Sequence, residues 1–326
     1  MIYKSIQGLS DRVSTLCLGT MNFGASMDRE SSFQVLDAFL EMGGNFVDTA
    51  RLYGEPDGVG FGASEKVIGQ WMKDRGCRDR VILATKGGHP PLDDMGHGRL
   101  DPASLQEDLD NSLKDLAVER IDLYWLHRDD PKLPVEEILY TLNRFIQQGK
   151  IKAIGASNWL PQRLEQAGQA ARREGLAGFC ADQPMWSLAR DEDQGDLASK
   201  RLVQMDGELY AFHRAGGMAC VPFTSQAKGF FSKLDQVGEA GLSAKVRGRY
   251  LSQHNLALYQ SLKALCQQAG LSVAAGALAY LTNQPFPTFP IAGVSRMAHL
   301  ADLRQAADAV LDAAQTGALL KAAGLA

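Results

Sequence analysis

The chain has 326 residues, 45% of them hydrophobic and 22% charged, with a formal net charge of −4. It is long and apolar enough to bury a large core in one domain covering residues 1–326, and this composition excludes a disordered chain. Lysine and arginine are scattered rather than massed, which excludes a basic footprint for nucleic acid, and the longest weakly polar stretch, AGLSVAAGALAYL, is too short and interrupted to span a bilayer. Five widely spaced cysteines form no CxxC pair, against a disulfide framework or a zinc site; Cys17, Cys180 and Cys220 lie in apolar runs and read as buried thiols. The opening MIYKSIQGLSDRVS has no apolar signal core, so a reducing cytoplasm is the expected location.

The YKSI and RVS segments flank Gly8 and read as a hairpin, placed ahead of the first barrel strand where it would plug the bottom. Short β-rich runs then alternate with longer amphipathic segments. STLCLGTM precedes SSFQVLDAFLEMGG, NFVDTA precedes ASEKVIGQWMK, VILATK precedes PASLQEDLDNSLKDL, and IDLYWLH precedes VEEILYTLNRFIQQG. The rhythm continues with AIGASN before LPQRLEQAGQAARREG and GFCADQP before LVQMDGELYAFHRAGG. MACVPF then leads to a long connection and helix, and TFPIAG to MAHLADLRQAADAVL. Eight β-then-α units of this length are the number for an α/β fold of the closed (β/α)8 TIM-barrel type, a single domain with an N-terminal hairpin. Ser31, Asp101 with Pro102, and Pro134 stand where helices should begin, and Gly43/Gly44, Gly149, Gly175 and Gly216/Gly217 where they should stop. The doubly wound nucleotide-binding sheet is the rival. Gly58-Val59-Gly60-Phe61-Gly62-Ala63 fits its G-x-G-x-x-A by letter but follows polar LYGEPD instead of a strand, and reads as a loop.

Four polar residues stand at or just past the ends of apolar runs: Asp48, Tyr53, Lys86 and His127. Such groups are costly to leave near apolar strands without partners, and in a (β/α)8 barrel the strand C-termini all open onto one face. Asp48, Lys86, His127, Asn158, Gln183 and Phe223 should therefore ring one mouth, with Tyr53 folded back over it. Carbonyl reduction is the chemistry this set suits. A tyrosine phenol, its pKa lowered by the Lys86 ammonium, protonates the oxygen while hydride reaches the carbon; Asp48 holds Lys86, and His127 orients or polarises the carbonyl. No metal is called for.

The quartet in its settings DTAxxYG, ATKGG and DLYWLH resembles the catalytic tetrad of the aldo-keto reductase superfamily, in particular the longer bacterial-type members related to potassium-channel beta subunits. LGTMNFG, GASEKVIGQW, GKIKAIGASNW and VPFTSQAKGFF are similar to that family in the same order, across nearly the whole chain. The resemblance implies an NADPH-dependent reductase of a small-molecule carbonyl substrate, with NADH a possible donor. It places the cofactor near Gly19, Thr20 and Met21, with Ser157, Asn158 and Gln183 on the nicotinamide carboxamide and Phe223 stacked on the ring. Thr224, Ser225, Gln226 and Lys228 would fold over the pyrophosphate. Ser295 and Arg296 would meet the 2′-phosphate, with His299 and Asp302 toward the adenine; Leu303 departs from the family's usual Asn.

Other readings stay open on the residues alone. Ser295 and Arg296 also suit the start of the last helix, and Trp159 and Trp186 either line a substrate pocket or belong to the core. Arg128-Asp129-Asp130 reads as a self-paired loop clasp or as a site for a hydroxylated carbonyl compound, and the loops 87–101 and 225–254 are Gly-rich enough to move. Channel beta subunits bind nicotinamide cofactor while acting mainly as partner modules, so a regulatory module with weak reductase activity is the alternative function. Oligomeric state and the physiological substrate are left open.

Overall fold

In the computed structural model, which describes residues 1–325, the opening segments pair antiparallel as β1 (Tyr3–Ile6) and β2 (Ser10–Ser14), and Gly8 turns between them at φ 77°. The chain then runs β3 (Cys17–Gly19), α1 (Arg29–Glu41), β4 (Phe46–Asp48), α2 (Ala63–Arg75), β5 (Ile82–Gly87), α3 (Pro102–Leu116), β6 (Ile121–Leu126), α4 (Val135–Gln147), β7 (Ile151–Ser157) and α5 (Pro161–Glu174). It continues β8 (Ala181–Gln183), α6 (Gln194–Ser199), α7 (Gly207–Gly216), β9 (Ala219–Cys220), α8 (Phe230–Val237), α9 (Ala244–Tyr250), α10 (Gln253–Ala269), α11 (Val273–Thr282), β10 (Ile291–Gly293), α12 (His299–Asp308) and α13 (Ala313–Ala322). Eight parallel strands form one sheet in the order β10-β3-β4-β5-β6-β7-β8-β9. Its two ends meet through a Cys220–Thr288 bridge and through the Phe289 and Ile291 N–H groups, which donate to the carbonyls of Cys220 (2.8 Å) and Pro222 (2.9 Å). The result is the expected (β/α)8 barrel.

Alternate residues of a strand face opposite sides, and the barrel sorts them into two cores. Cys17, Phe46, Ala84, Leu123, Trp125, Ala153, Ala181 and Ala219 point inward and pack with Phe289; Leu18, Val47, Leu83, Tyr124, Ile154 and Cys220 belong to the layer shared with the helices. Ile6, Leu9 and Val13 of the hairpin join the inner cluster, so β1 and β2 seal the lower end of the barrel as the sequence suggested. Trp125 fills the interior because β7 gives way to it: a Cβ on Gly155 would stand 2.3 Å from the indole.

The helix starts at Asp101 and Pro134 stand as expected, but α1 begins one turn earlier. Its N-cap is Asp28, whose carboxylate accepts from the Ser31 N–H at 2.8 Å, because a charged oxygen three residues upstream satisfies that free donor. The Gly58–Gly62 stretch is a loop with three left-handed glycines, the last capping α2, and a short 3-10 turn precedes it where the nucleotide-binding fingerprint needs a strand. Residues 225–254 are largely helical, in α8 and α9, rather than an open loop. Ser243 caps α9, and Phe230, Phe231, Leu234 and Val246 bury this segment. Among the described residues no single helix is long and apolar enough to cross a membrane.

Phe46 is fully buried and meets Phe289 edge-on with ring centroids 6.2 Å apart, between the hairpin and the layers above. Phe46→Ala is expected to cost about 3–5 kcal/mol of stability by urea denaturation. A loss below about 1 kcal/mol would mean that the lower core is not close-packed.

Candidate active site

Strand parity also builds the site. The inward positions one step above the inner core are Gly19 on β3, Asp48 on β4, Lys86 on β5, His127 just past β6, Ser157 on β7, Gln183 on β8 and Phe223 beyond β9. They share the parity of Cys17, Phe46, Ala84, Trp125, Ala153, Ala181 and Val221, so the pleat that fills the core with apolar groups aims these groups into the mouth. Tyr53 comes in from the loop after β4 and lies edge-on to His127, with ring centroids 6.4 Å apart.

Lys86 and Asp48 are 2% and 1% exposed and form a buried ion pair. The Lys86 ammonium uses its other donors on the Thr49 carbonyl (2.8 Å) and the Tyr53 hydroxyl (3.1 Å), and Gln183 Nε2 donates to the second Asp48 oxygen at 3.1 Å. Burial lowers the pKa of Lys86, but the attraction of Asp48 and Tyr53 outweighs it and the net direction is upward, keeping the ammonium charged. Burial raises Asp48, with Lys86 and Gln183 pulling back.

Tyr53 corrects an expectation. Its pKa lies above the ordinary tyrosine value, because burial raises it, Lys86 offsets only part of that, and Asp48 adds to it. Lys86 still acts downward, as the sequence reading held, but desolvation prevails. His127 is pushed well below the usual histidine value by burial and by the neighbouring His89, Arg128 and Lys86, so the ring is neutral. Its Nδ1 is buried without a hydrogen-bond partner. His89, whose Nδ1 donates to the Pro90 carbonyl at 2.6 Å, packs edge-on against it at 4.7 Å and is itself brought down to about 4, mainly by burial.

Beside this group the residues expected around a cofactor form a connected polar network. Ser157 Oγ donates to the Gln183 carbonyl at 2.8 Å; Asn158 Nδ2 donates to Ser157 Oγ at 3.0 Å, and its Oδ1 accepts from the Val203 N–H at 3.1 Å. Thr20 Oγ1 donates to the Asp48 carbonyl at 2.9 Å and accepts from Ser64, tying β3 to β4, whereas Met21 is exposed. Ser225 Oγ donates to the Ile291 carbonyl at 2.6 Å, joining β9 to β10. Asn158, Thr224, Ala227 and Lys228 hold left-handed φ values between 48° and 62°, an uncommon state for residues other than glycine. Ser295, Arg296 and His299 come together at the start of α12, with the His299 ring nitrogens 3.4 Å from Ser295 Oγ and from an Arg296 guanidinium nitrogen. Neither Ser295 nor any other side chain caps that helix. Asp302 already accepts from Ser272 Oγ at 2.6 Å, and Leu303 is buried.

One reading of the mouth needs correction, and another that was open is decided. Arg128, Asp129 and Asp130 do not pair with one another: Asp129 binds Arg163 at 3.3 Å, and Arg128 reaches backbone carbonyls. Trp159 and Trp186 are buried in the layer between strands and helices, against Phe179 and against Tyr210 with Phe286: left-handed Asn158 breaks the β7 pleat just before Trp159, and Trp186 has outer parity on β8. The Gln183–Asp48 bond and the role of the 189–206 segment, whose Lys200 carbonyl and Arg201 side chain touch the mouth, left no sequence signal. At the other end of the barrel a cavity of about 750 Å³ is lined by Leu9, Ser10 and Lys152, but its Arg78 and Asp122 pair with each other at 2.8 Å. Among the described residues no group of three or more His, Cys, Asp or Glu is placed to hold a metal, and all five cysteines are free.

The profile of the aldo/keto reductase family matches residues 15–323. An uncharacterized oxidoreductase, YrpG, of Bacillus subtilis is 32% identical over 92% of this chain and 89% of its own length. Norsolorinic acid reductase B of Aspergillus parasiticus is 30% identical over 91% of this chain and 77% of its own, and an aryl-alcohol dehydrogenase of Pestalotiopsis microspora is 29% identical over 89% and 74%. A barrel with polar strand ends gathered at one mouth, matched to this family from end to end, is an oxidoreductase, and the chain belongs to the aldo/keto reductase family.

Proposed function

We propose that this protein reduces an aldehyde or ketone to the alcohol, with NADPH as hydride donor and NADH as the lesser alternative, and that Tyr53 is the general acid. The observation that carries this reading is the chain of contacts from Asp48 to Lys86 to the Tyr53 hydroxyl, with neutral His127 facing the same opening. The nicotinamide, when bound, supplies hydride to the carbonyl carbon. Tyr53 gives its proton to the carbonyl oxygen, and the phenolate left behind is stabilised by the Lys86 ammonium 3.1 Å away. A phenol whose pKa is held above its ordinary value is protonated throughout the neutral range, the state that reduction requires. His127, being uncharged, offers an N–H to the carbonyl oxygen without competing to be the acid.

The residues around the mouth suit a dinucleotide. Left-handed backbone at Thr224, Ala227 and Lys228 folds this segment into a tight turn, the kind of backbone that can close over phosphate oxygens. Lys228 stands there with its pKa lowered by burial and by the nearby cations Arg249, Lys245 and Lys200, an excess of positive charge that an anion relieves. Ser225 and Gln226 belong to the same turn, Phe223 leads into it, and Gly19, Thr20 and Met21 stand at the end of β3, on the other side of β10. Ser157, Asn158 and Gln183 would hold the nicotinamide amide, and Ser295, Arg296, His299 and Asp302 the adenosine end, with Arg296 selecting a 2′-phosphate.

Tyr53→Phe removes the proton but little volume, and kcat with 4-nitrobenzaldehyde and NADPH should fall at least ~100-fold while cofactor affinity is nearly kept. Retained turnover would sink the assigned role, and cofactor binding without turnover in the natural protein would favour the regulatory module instead. In Lys86→Met the positive charge that draws the Tyr53 pKa down is gone, so that pKa rises further. The alkaline limb of the kcat/KM profile should move to higher pH and the rate at pH 7 drop by ~10-fold or more. An unchanged profile removes Lys86 from the mechanism.

A further inference from the structure

Arg128 follows His127 directly and is only 8% exposed, yet it is in no ion pair among the described residues. Its Nε donates to the Lys200 carbonyl at 3.0 Å and Nη1 to the His127 carbonyl at 2.7 Å, while Nη2 has no hydrogen-bond partner among the described residues. The carboxylates next to it in the chain are engaged elsewhere: Asp129 on Arg163, and Asp130 on the Lys132 N–H. The charge of Arg201 acts on Arg128, and that left-handed residue, at φ 52°, likewise spends its guanidinium on carbonyls, those of Met95 and Asp129. Burying a guanidinium without a counter-anion is costly, and a second arginine beside it compounds the cost. A fold that holds Arg128 there by carbonyls alone has left the anion to be supplied from outside.

The position decides which anion. Arg128 stands beyond β6, which lies directly across the eight-membered ring of strands from β10 and three strands from β9, the two that carry Ser295, Arg296 and the 224–228 turn. It is close enough to Tyr53, His89 and His127 for its charge to act on all three. We propose that Arg128, flanked by Arg201, is the anion-binding residue of the substrate pocket, and that the preferred substrate is an aldehyde or ketone carrying a carboxylate. This rests on the carbonyl-reductase reading above and names its substrate class.

The test compares 4-carboxybenzaldehyde with its methyl ester, which share the reacting carbonyl and differ in charge. The natural protein should favour the acid in kcat/KM by ~10-fold or more, and Arg128→Met should lower the acid-to-ester ratio by at least the same factor through the KM of the acid, with Arg128→Lys recovering part of it. An equal preference for acid and ester in the natural protein, or an equal loss on both in Arg128→Met, overturns the proposal. A rise in the KM of NADPH with the ratio unchanged also overturns it and gives the guanidinium to a cofactor phosphate. Should no aldehyde turn over, calorimetric titration with benzoate against benzyl alcohol separates the two readings. Benzoate binding lost in Arg128→Met then upholds the anion site while the reductase reading fails, and its absence from the natural protein overturns the site as well.

Discussion

The ion pair of Lys86 and Asp48 is the constraint on which the upper half of the barrel depends. Two charges withdrawn from water to 2% and 1% exposure demand full coordination, and a lone partner would not suffice. The barrel meets the demand with groups from three other places: the Thr49 carbonyl beyond β4, the Gln183 amide on β8 and the Tyr53 hydroxyl on a loop. Those contacts fix the relative height of β4, β5 and β8 and bring the Tyr53 loop down onto the mouth. Removing one charge would leave the other stranded, so the pair couples stability to the geometry that the proposed reaction uses.

Beneath the pair lies an apolar layer, where Trp125, Phe46 and Phe289 fill the bore. Gly155 permits that filling, and the filling in turn holds the dielectric low around the ions above it. The displacement of the Tyr53 and His127 pKa values is one consequence: burial is the leading cause for both, pushing the phenol up and the imidazole down. The same dry floor therefore keeps one group protonated and the other neutral.

Much of this was legible in the sequence, and the reason is periodicity. Each of NFVDTA, VILATK and IDLYWLH carries a polar group at the position whose parity matches the inward apolar residues before it, so the strand that is recognised also gives the direction of its last side chain. Eight repeats of that pattern defined the barrel, and Gly8 between two short strands defined the hairpin. What stayed hidden depends on contacts distant in the chain. Arg128 and Asp129 look self-sufficient when read in line, but Arg163 lies 34 residues away and takes the carboxylate, whereas the Lys200 carbonyl takes the guanidinium. Trp159 and Trp186 stayed open between pocket and core for a local reason: both follow strand ends, as mouth residues do, but the left-handed turn at Asn158 carries Trp159 out of the inward register and Trp186 has the opposite parity. The direction of the Tyr53 shift was beyond reach as well, since it is set by the depth at which the loop settles.

The hairpin at the foot of the barrel has a bearing on traffic. Ile6, Leu9 and Val13 close the lower end with the same apolar packing that fills the bore, and the Lys4 ammonium donates to the Thr282 carbonyl and that of Lys152 to the Leu9 carbonyl, fastening the stopper at its rim. The barrel is thus a blind vessel whose contents come and go by one door. Whatever molecule lies deepest in it must be first in and last out, and any second molecule queues on top of it, so the order of entry is written into the architecture before any loop has moved.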